Sequence, residues 1–234
     1  AQPGVEKVTE QLEEVYTKTE SWRPLAELFM DKAGQSSDED EKAELLKKTA
    51  EIYLQKLEDP AAAEAPVSQL REMDPDDLDT ALLLADTLVA SGKLDEASEV
   101  LDPIIAAQKR PTPQLGKLLL RKSRLAAAAG DAEEQMKHLK KAFNVARKDG
   151  NIAVEVAKVA ESVEDYDLAL KALRTISLGK KDGPITRGEA FLWEAKIEAT
   201  RGNRAKALLQ IKKALKEDPE MEEAIQLKEE LSRK

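Results

Sequence analysis

The stretch Leu78–Leu101, LDTALLLADTLVASGKLDEASEVL, decides the fold. Leu84, Ala85 and Leu88 recur at helical spacing, and Leu94, Ala97 and Leu101 do so again after Ser91-Gly92-Lys93. Two amphipathic helices joined by so short a turn make an αα-hairpin. Ala85 and Ala97 are small enough to let the two backbones approach where the helices cross. The same pattern returns along the chain, which makes this hairpin one unit of an array.

The turn residues set the phase. Glu20, Glu58, Gly92, Gly130, Glu164 and Gly202 each precede a second helix, at steps of 38, 34, 38, 34 and 38 residues. Five residues further on stand Leu25, Ala63, Ala97, Gln135, Ala169 and Ala207, mostly small and in register. Six units in phase are the mark of a repeat protein.

Composition agrees. Of 234 residues 3% are aromatic and 35% charged, and Ala, Leu, Glu and Lys dominate, as in long helices with charged outer faces. The absence of cysteine excludes disulfides, thiolate metal sites and cysteine nucleophiles, and it fits a reducing compartment. No apolar run approaches the roughly 18 residues of a membrane span. The expected location is the cytoplasm, with the periplasm after signal removal left open. The net charge of −9 divides unevenly: residues 1–110 hold 12 Lys+Arg against 26 Asp+Glu, and residues 111–234 hold 25 against 20.

Along the chain, Val5–Lys18 is expected as a first helix with Leu12 and Tyr16 buried, and Trp22–Ala33 as its partner. Gly34-Gln35-Ser36-Ser37 breaks the pattern, and Leu45–Leu57 begins the second unit. Asp59-Pro60 caps and opens the next helix. Pro66 and Pro103 fall inside helices and are expected to kink them, each costing ~3 kcal/mol against a regular residue. Asp149-Gly150-Asn151 reads as a stop followed by a cap, and Gly179–Gly183 with Pro184 as a loop. The units fall at about 5–37, 40–75, 77–111, 114–149, 150–183 and 186–219, and a polar helix at 220–232 solvates the end of one continuous domain, 1–234.

These features resemble the tetratricopeptide repeat family, whose unit is a helix-turn-helix of about 34 residues. Gly92, Gly130-Asp131, Asp165-Tyr166 and Gly202-Asn203 match its turn. Ala85, Ala157 and Ala195 match the small site of its first helix, and Ala63, Ala97, Ala169 and Ala207 that of its second. Asp74-Pro75 and Asp218-Pro219 match its ending. Gln135 stands where a small residue is usual, Glu20, Glu58 and Glu164 replace the turn glycine, and the family's tryptophan is largely absent. Three steps carry four extra residues, close to one helical turn, which points to longer helices rather than longer loops. The resemblance implies an all-α, right-handed solenoid of six repeats plus the capping helix. Pro3 falls where the ending proline of a preceding unit would stand, as in a longer array.

Catalytic constellations are missing from the sequence. His138, the one histidine, lies among lysines and reads as a solvated surface residue. One histidine without cysteine supplies no zinc or transition-metal ligand set, and no cofactor is expected. Asp74–Asp79 lacks the glycine and distal glutamate of a calcium loop. Gly179–Gly183 lacks the spacing of a phosphate loop, and the carboxylates fall on repetitive, solvated helical faces. Few aromatics are present to stack on bases, so nucleic acid is not the expected partner despite Lys137, Lys140 and Lys141.

A non-enzymatic scaffold that binds a peptide or helix of another protein remains. The resemblance implies a concave groove lined by first helices, here Leu82, Asp86 and Val89, then Lys117, Leu120 and Arg124, then Val154 and Lys158, then Leu192 and Lys196. Arg124, Lys158 and Lys196 hold equivalent places and form a basic ladder, whereas Glu14 and Asp86 are acidic, so an acidic segment is expected at the C-terminal end. Trp193 neighbours this surface as an anchor or a packing residue. The alternative is a structural spacer or self-assembly segment of a larger array.

Overall fold

The small residues expected at helix crossings hold the crossings. Ala63, Ala85, Ala97, Ala157, Ala169, Ala195 and Ala207 have no exposed surface. In the computed structural model, which describes residues 3–179 and 183–233, helices follow one another as α1 (Pro3–Lys18), α2 (Trp22–Gln35), α3 (Glu39–Glu51), α4 (Pro60–Met73), α5 (Leu78–Ala90), α6 (Leu94–Ala107), α7 (Pro113–Ala128), α8 (Ala132–Val145), α9 (Gly150–Ser162), α10 (Tyr166–Ser177), α11 (Arg187–Thr200), α12 (Arg204–Glu217) and α13 (Glu222–Arg233). No strand occurs among the described residues. The protein is an all-α helical repeat, and none of its described helices is long and apolar enough to cross a membrane.

All six turns share one backbone geometry. The φ angle is 77° at Gly92, 77° at Gly130 and 76° at Gly202, and it is 53°, 50° and 61° at Glu20, Glu58 and Glu164. This is the left-handed region that glycine enters freely, so the three glutamates depart from the pattern in composition but not in shape. At three turns the following aspartate caps the second helix. Asp59, Asp131 and Asp165 accept the backbone N–H of Ala62, Glu134 and Leu168.

The extra residues go to three different places. In the second unit α3 runs on into a π-helical turn, Ile52–Lys56, so the first helix absorbs them. In the fourth, α7 has 16 residues against the 13 of α5 and α9. In the sixth, the chain between Ser177 and Arg187 takes most of the excess, contrary to the expectation of longer helices.

Several boundaries differ from the sequence reading. α2 continues through Gly34-Gln35, and α3 starts at Glu39 because Asp38 accepts the N–H groups of Asp40 and Glu41. Asp149, not Asn151, caps α9 by accepting the N–H groups of Asn151 and Ile152. Leu12 is 36% exposed rather than buried, since α1 packs chiefly on α2. Pro66 and Pro103 sit inside α4 and α6, which continue as helices past them.

The described chain divides into two compact units, 1–107 and 108–234. In the first, Leu25, Phe29, Leu46, Tyr53 and Leu70 share a core. In the second, Leu139, Phe143, Ile152, Leu173 and Ile197 form a larger one, and Phe191, Leu192 and Ile211 pack beside α13. Full burial of a leucine stabilises by ~1.5–3 kcal/mol, whereas an exposed ion pair such as Lys18–Glu14 contributes about 0–1. The cores therefore hold the repeats together.

Candidate functional site

In the second unit α7, α9 and α11 are the first helices. α7 touches α9, and α11 touches α13. Trp193 of α11 reaches α9, where its indole N–H donates to Glu161 Oε2 at 2.7 Å. The helices share a surface, and between α9, α11 and α13 it deepens into a cleft of about 800 Å³.

Lys158, Leu192, Trp193 and Lys196 line that cleft. Leu82, Leu120, Val154 and Leu192 are buried, so these apolar side chains serve mainly the packing and offer a partner little area. Lys117, Arg124, Lys158 and Lys196 are exposed, and Asp86, Val89 and Trp193 are half-buried. Leu82, Asp86 and Val89 belong to α5 of the first unit.

The basic ladder is partly neutralised. Arg124 stands 3.9 Å from Glu155, and Lys196 Nζ donates to Glu223 Oε2 at 2.6 Å. That hydrogen bond, with the attraction of the same ammonium, holds the Glu223 carboxyl below its usual range. Lys158 has no ion pair among the described residues. α7 is uniformly basic, with Lys117, Arg121, Lys122 and Arg124 and no acid.

Some of the cleft escapes sequence reasoning. Glu161, Thr186, Glu189, Asp218, Met221, Glu222 and Glu223 also line it. The polar helix read as a cap is also a wall, and its buried Ala224 is the one hint that it packs as a further first helix would.

Two expectations about titratable groups are corrected. Glu194 and Glu198 are not on a solvated face: both are buried, as α11 is enclosed on nearly all sides. Glu194 accepts the Ser177 hydroxyl at 2.7 Å and the Gln210 amide at 3.0 Å, and Asn203 donates to Glu198 at 2.7 Å. Burial raises the Glu194 pKa, opposed by the Ser177 hydrogen bond and by Arg174 and Lys213, and Glu198 adds to the rise. His138 is half-buried rather than solvated. Its Nδ1 is buried without a partner among the described residues, its Nε2 lies 3.4 Å from Glu134, and burial lowers its pKa.

A chain of αα-hairpins with a shared crossing site and a left-handed turn is a helical-repeat protein. Residues 54–121 match the tetratricopeptide repeat model. No protein of curated function matches the sequence. Solved structures with the same fold include PilW, a widely conserved type IV pilus biogenesis factor. It is 19% identical with a TM-score of 0.61, over 97% of this chain and 99% of that one. A tetratricopeptide repeat protein of Parabacteroides merdae is 13% identical with a TM-score of 0.57, over 100% and 86%. YrrB, a tetratricopeptide protein with an unusual peptide-binding site, is 17% identical with a TM-score of 0.52, over 87% and 99%. Residues 54–121 thus carry the tetratricopeptide repeat signature, and the whole chain has the fold of tetratricopeptide repeat proteins.

Proposed function

We propose that this protein is a non-enzymatic scaffold that binds a peptide or helical segment of another protein along the first helices of its second unit, with acidic residues of that segment over the basic end. The observation that carries this reading is the cleft at Trp193 continuous in helix order with α9 and the acid-free helix α7. YrrB, of the same fold, has a peptide-binding site, which supports the class of ligand.

The test is affinity capture with mass spectrometry, comparing wild type with Arg124→Glu/Lys158→Glu/Lys196→Glu. Because Lys158 and Lys196 lie in the acid-rich cleft, Arg124→Glu alone is the variant that reads the basic end. A partner captured by wild type should bind the triple variant at least about tenfold more weakly, ~1.4 kcal/mol. Its affinity for wild type should fall with salt. Binding that ignores both the reversal and the salt removes the reading.

A second reading, self-assembly, is supported by the apolar side of α1, where Val8 is 54%, Leu12 36% and Val15 51% exposed. Light scattering that shows a monomer at every concentration would dismiss it.

A further inference from the structure

The interaction surface of the second unit changes sign along its length. α7 supplies Lys117 and Arg124 and has no acid of its own, with Glu155 of α9 3.9 Å from Arg124. At the far end the cleft holds five carboxylates, Glu161, Glu189, Asp218, Glu222 and Glu223, against Lys158 and Lys196. Lys196 is already bound to Glu223. Leu192, Trp193 and Met221 give the cleft an apolar lining. The indole is held in place, since its N–H is tied to Glu161 across the gap between α11 and α9. An indole among carboxylates attracts a cation through its ring quadrupole and through the surrounding charge, and the apolar lining suits an aliphatic stem.

Resting on the interaction reading above, we infer that this cleft receives a basic side chain, arginine or lysine beside an aliphatic residue, from a protein segment whose acidic residues lie over α7. The partner segment is thus bipolar, and its charges fix the direction in which it lies. A wholly acidic segment would meet the uncompensated acids of the cleft, and a wholly basic one would meet α7.

The probe is a random dodecapeptide library displayed on phage and selected against the full chain at low salt. Selected peptides are then measured by fluorescence anisotropy against wild type, Trp193→Ala, Trp193→Phe, Glu222→Lys and Arg124→Glu. The expected pool is enriched in Arg or Lys next to an aliphatic residue, with Asp or Glu at a distance. Trp193→Ala should weaken binding about tenfold or more, as loss of an anchor does. Glu222→Lys, an exposed change that leaves four carboxylates against three lysines, should weaken the selected peptides and shrink their advantage over versions with the basic residue replaced by Glu. If circular dichroism shows Trp193→Ala to be unfolded, Trp193→Phe and Glu222→Lys decide. Peptides that respond to Arg124→Glu but show no basic enrichment, or ignore Trp193 and Glu222, overturn this inference and leave the interaction reading standing. A selection that yields no binding peptide overturns both.

Discussion

Glu20, Glu58 and Glu164 hold φ at 53°, 50° and 61°, where a side chain crowds the backbone by about 1–2 kcal/mol. Glycine removes that crowding but loses about 0.5–1 kcal/mol through the freedom it gains when unfolded. The difference favours glycine slightly. Glu164→Gly should raise the urea midpoint by a few tenths to ~1 kcal/mol in stability, and Gly130→Ala should lower it by about 1. At Gly130 an added Cβ would meet nothing within 4 Å, so the loss there would be conformational rather than steric.

Glu194 makes the opposite kind of statement. Burial raises its folded pKa, so the folded protein binds the proton more tightly than the unfolded chain. That stabilisation is complete below the ordinary glutamate pKa of ~4.3 and fades as pH rises through the raised value. Glu194→Gln, neutral throughout, should flatten the decline and leave the variant at least as stable as wild type at neutral pH. Gln210 Oε1, buried without a partner among the described residues, gives the new amide an acceptor. Denaturant midpoints for both proteins across pH 4–8 check this; parallel curves would refute it. No spacing in the sequence announced a buried carboxylate here, because Ser177 and Gln210 lie on neighbouring helices.

Helices were legible where the backbone's own needs wrote them into the sequence. The stripe of Leu94, Ala97 and Leu101 lies on α6, and the turn-plus-aspartate signal locates the second helices at Asp59, Asp131 and Asp165. First helices were harder, since their caps sit in loops that differ in length. The π-helical turn at Ile52–Lys56 has no sequence mark, because it rearranges carbonyl partners rather than side chains. Asp77, which caps α5, is a direct test of the cap. Its side chain accepts the Thr80 hydroxyl and the N–H groups of Thr80 and Asp79, and the hydroxyl bond above all lowers its pKa. A depressed carboxylate contributes stability above its unfolded pKa of ~3.9 and loses it as pH falls through the folded one. Asp77→Ala should destabilise by ~1 kcal/mol at neutral pH, and the gap should narrow in acid. A gap that stays constant down to low pH would show that the charge is not involved.

The repeat phase gives no sign of the division at residues 107 and 108, since the 38-residue step from Gly92 to Gly130 carries straight across it. Charge does mark it. Residues 1–107 hold 10 Lys+Arg against 26 Asp+Glu, and residues 108–234 hold 27 against 20. The two units therefore present different fields to an approaching partner, and only the second carries the basic first helix. Of the proposed surface, Lys158, Trp193 and Lys196 were reached through the family resemblance. The acids of α13 were not, because a polar helix looks the same in sequence whether its charges meet bulk water or a cleft.

The chain has two tryptophans, and they stand in unlike surroundings. Trp22 lies in the first unit with the Lys56 ammonium 5.0 Å from its ring, while Trp193 lines the cleft with its N–H tied to Glu161. With Trp22 replaced by Phe, tryptophan emission would come from the cleft alone. Its wavelength and its quenching by iodide would then report, without any dye or tag, whether that space is wet, dry or filled.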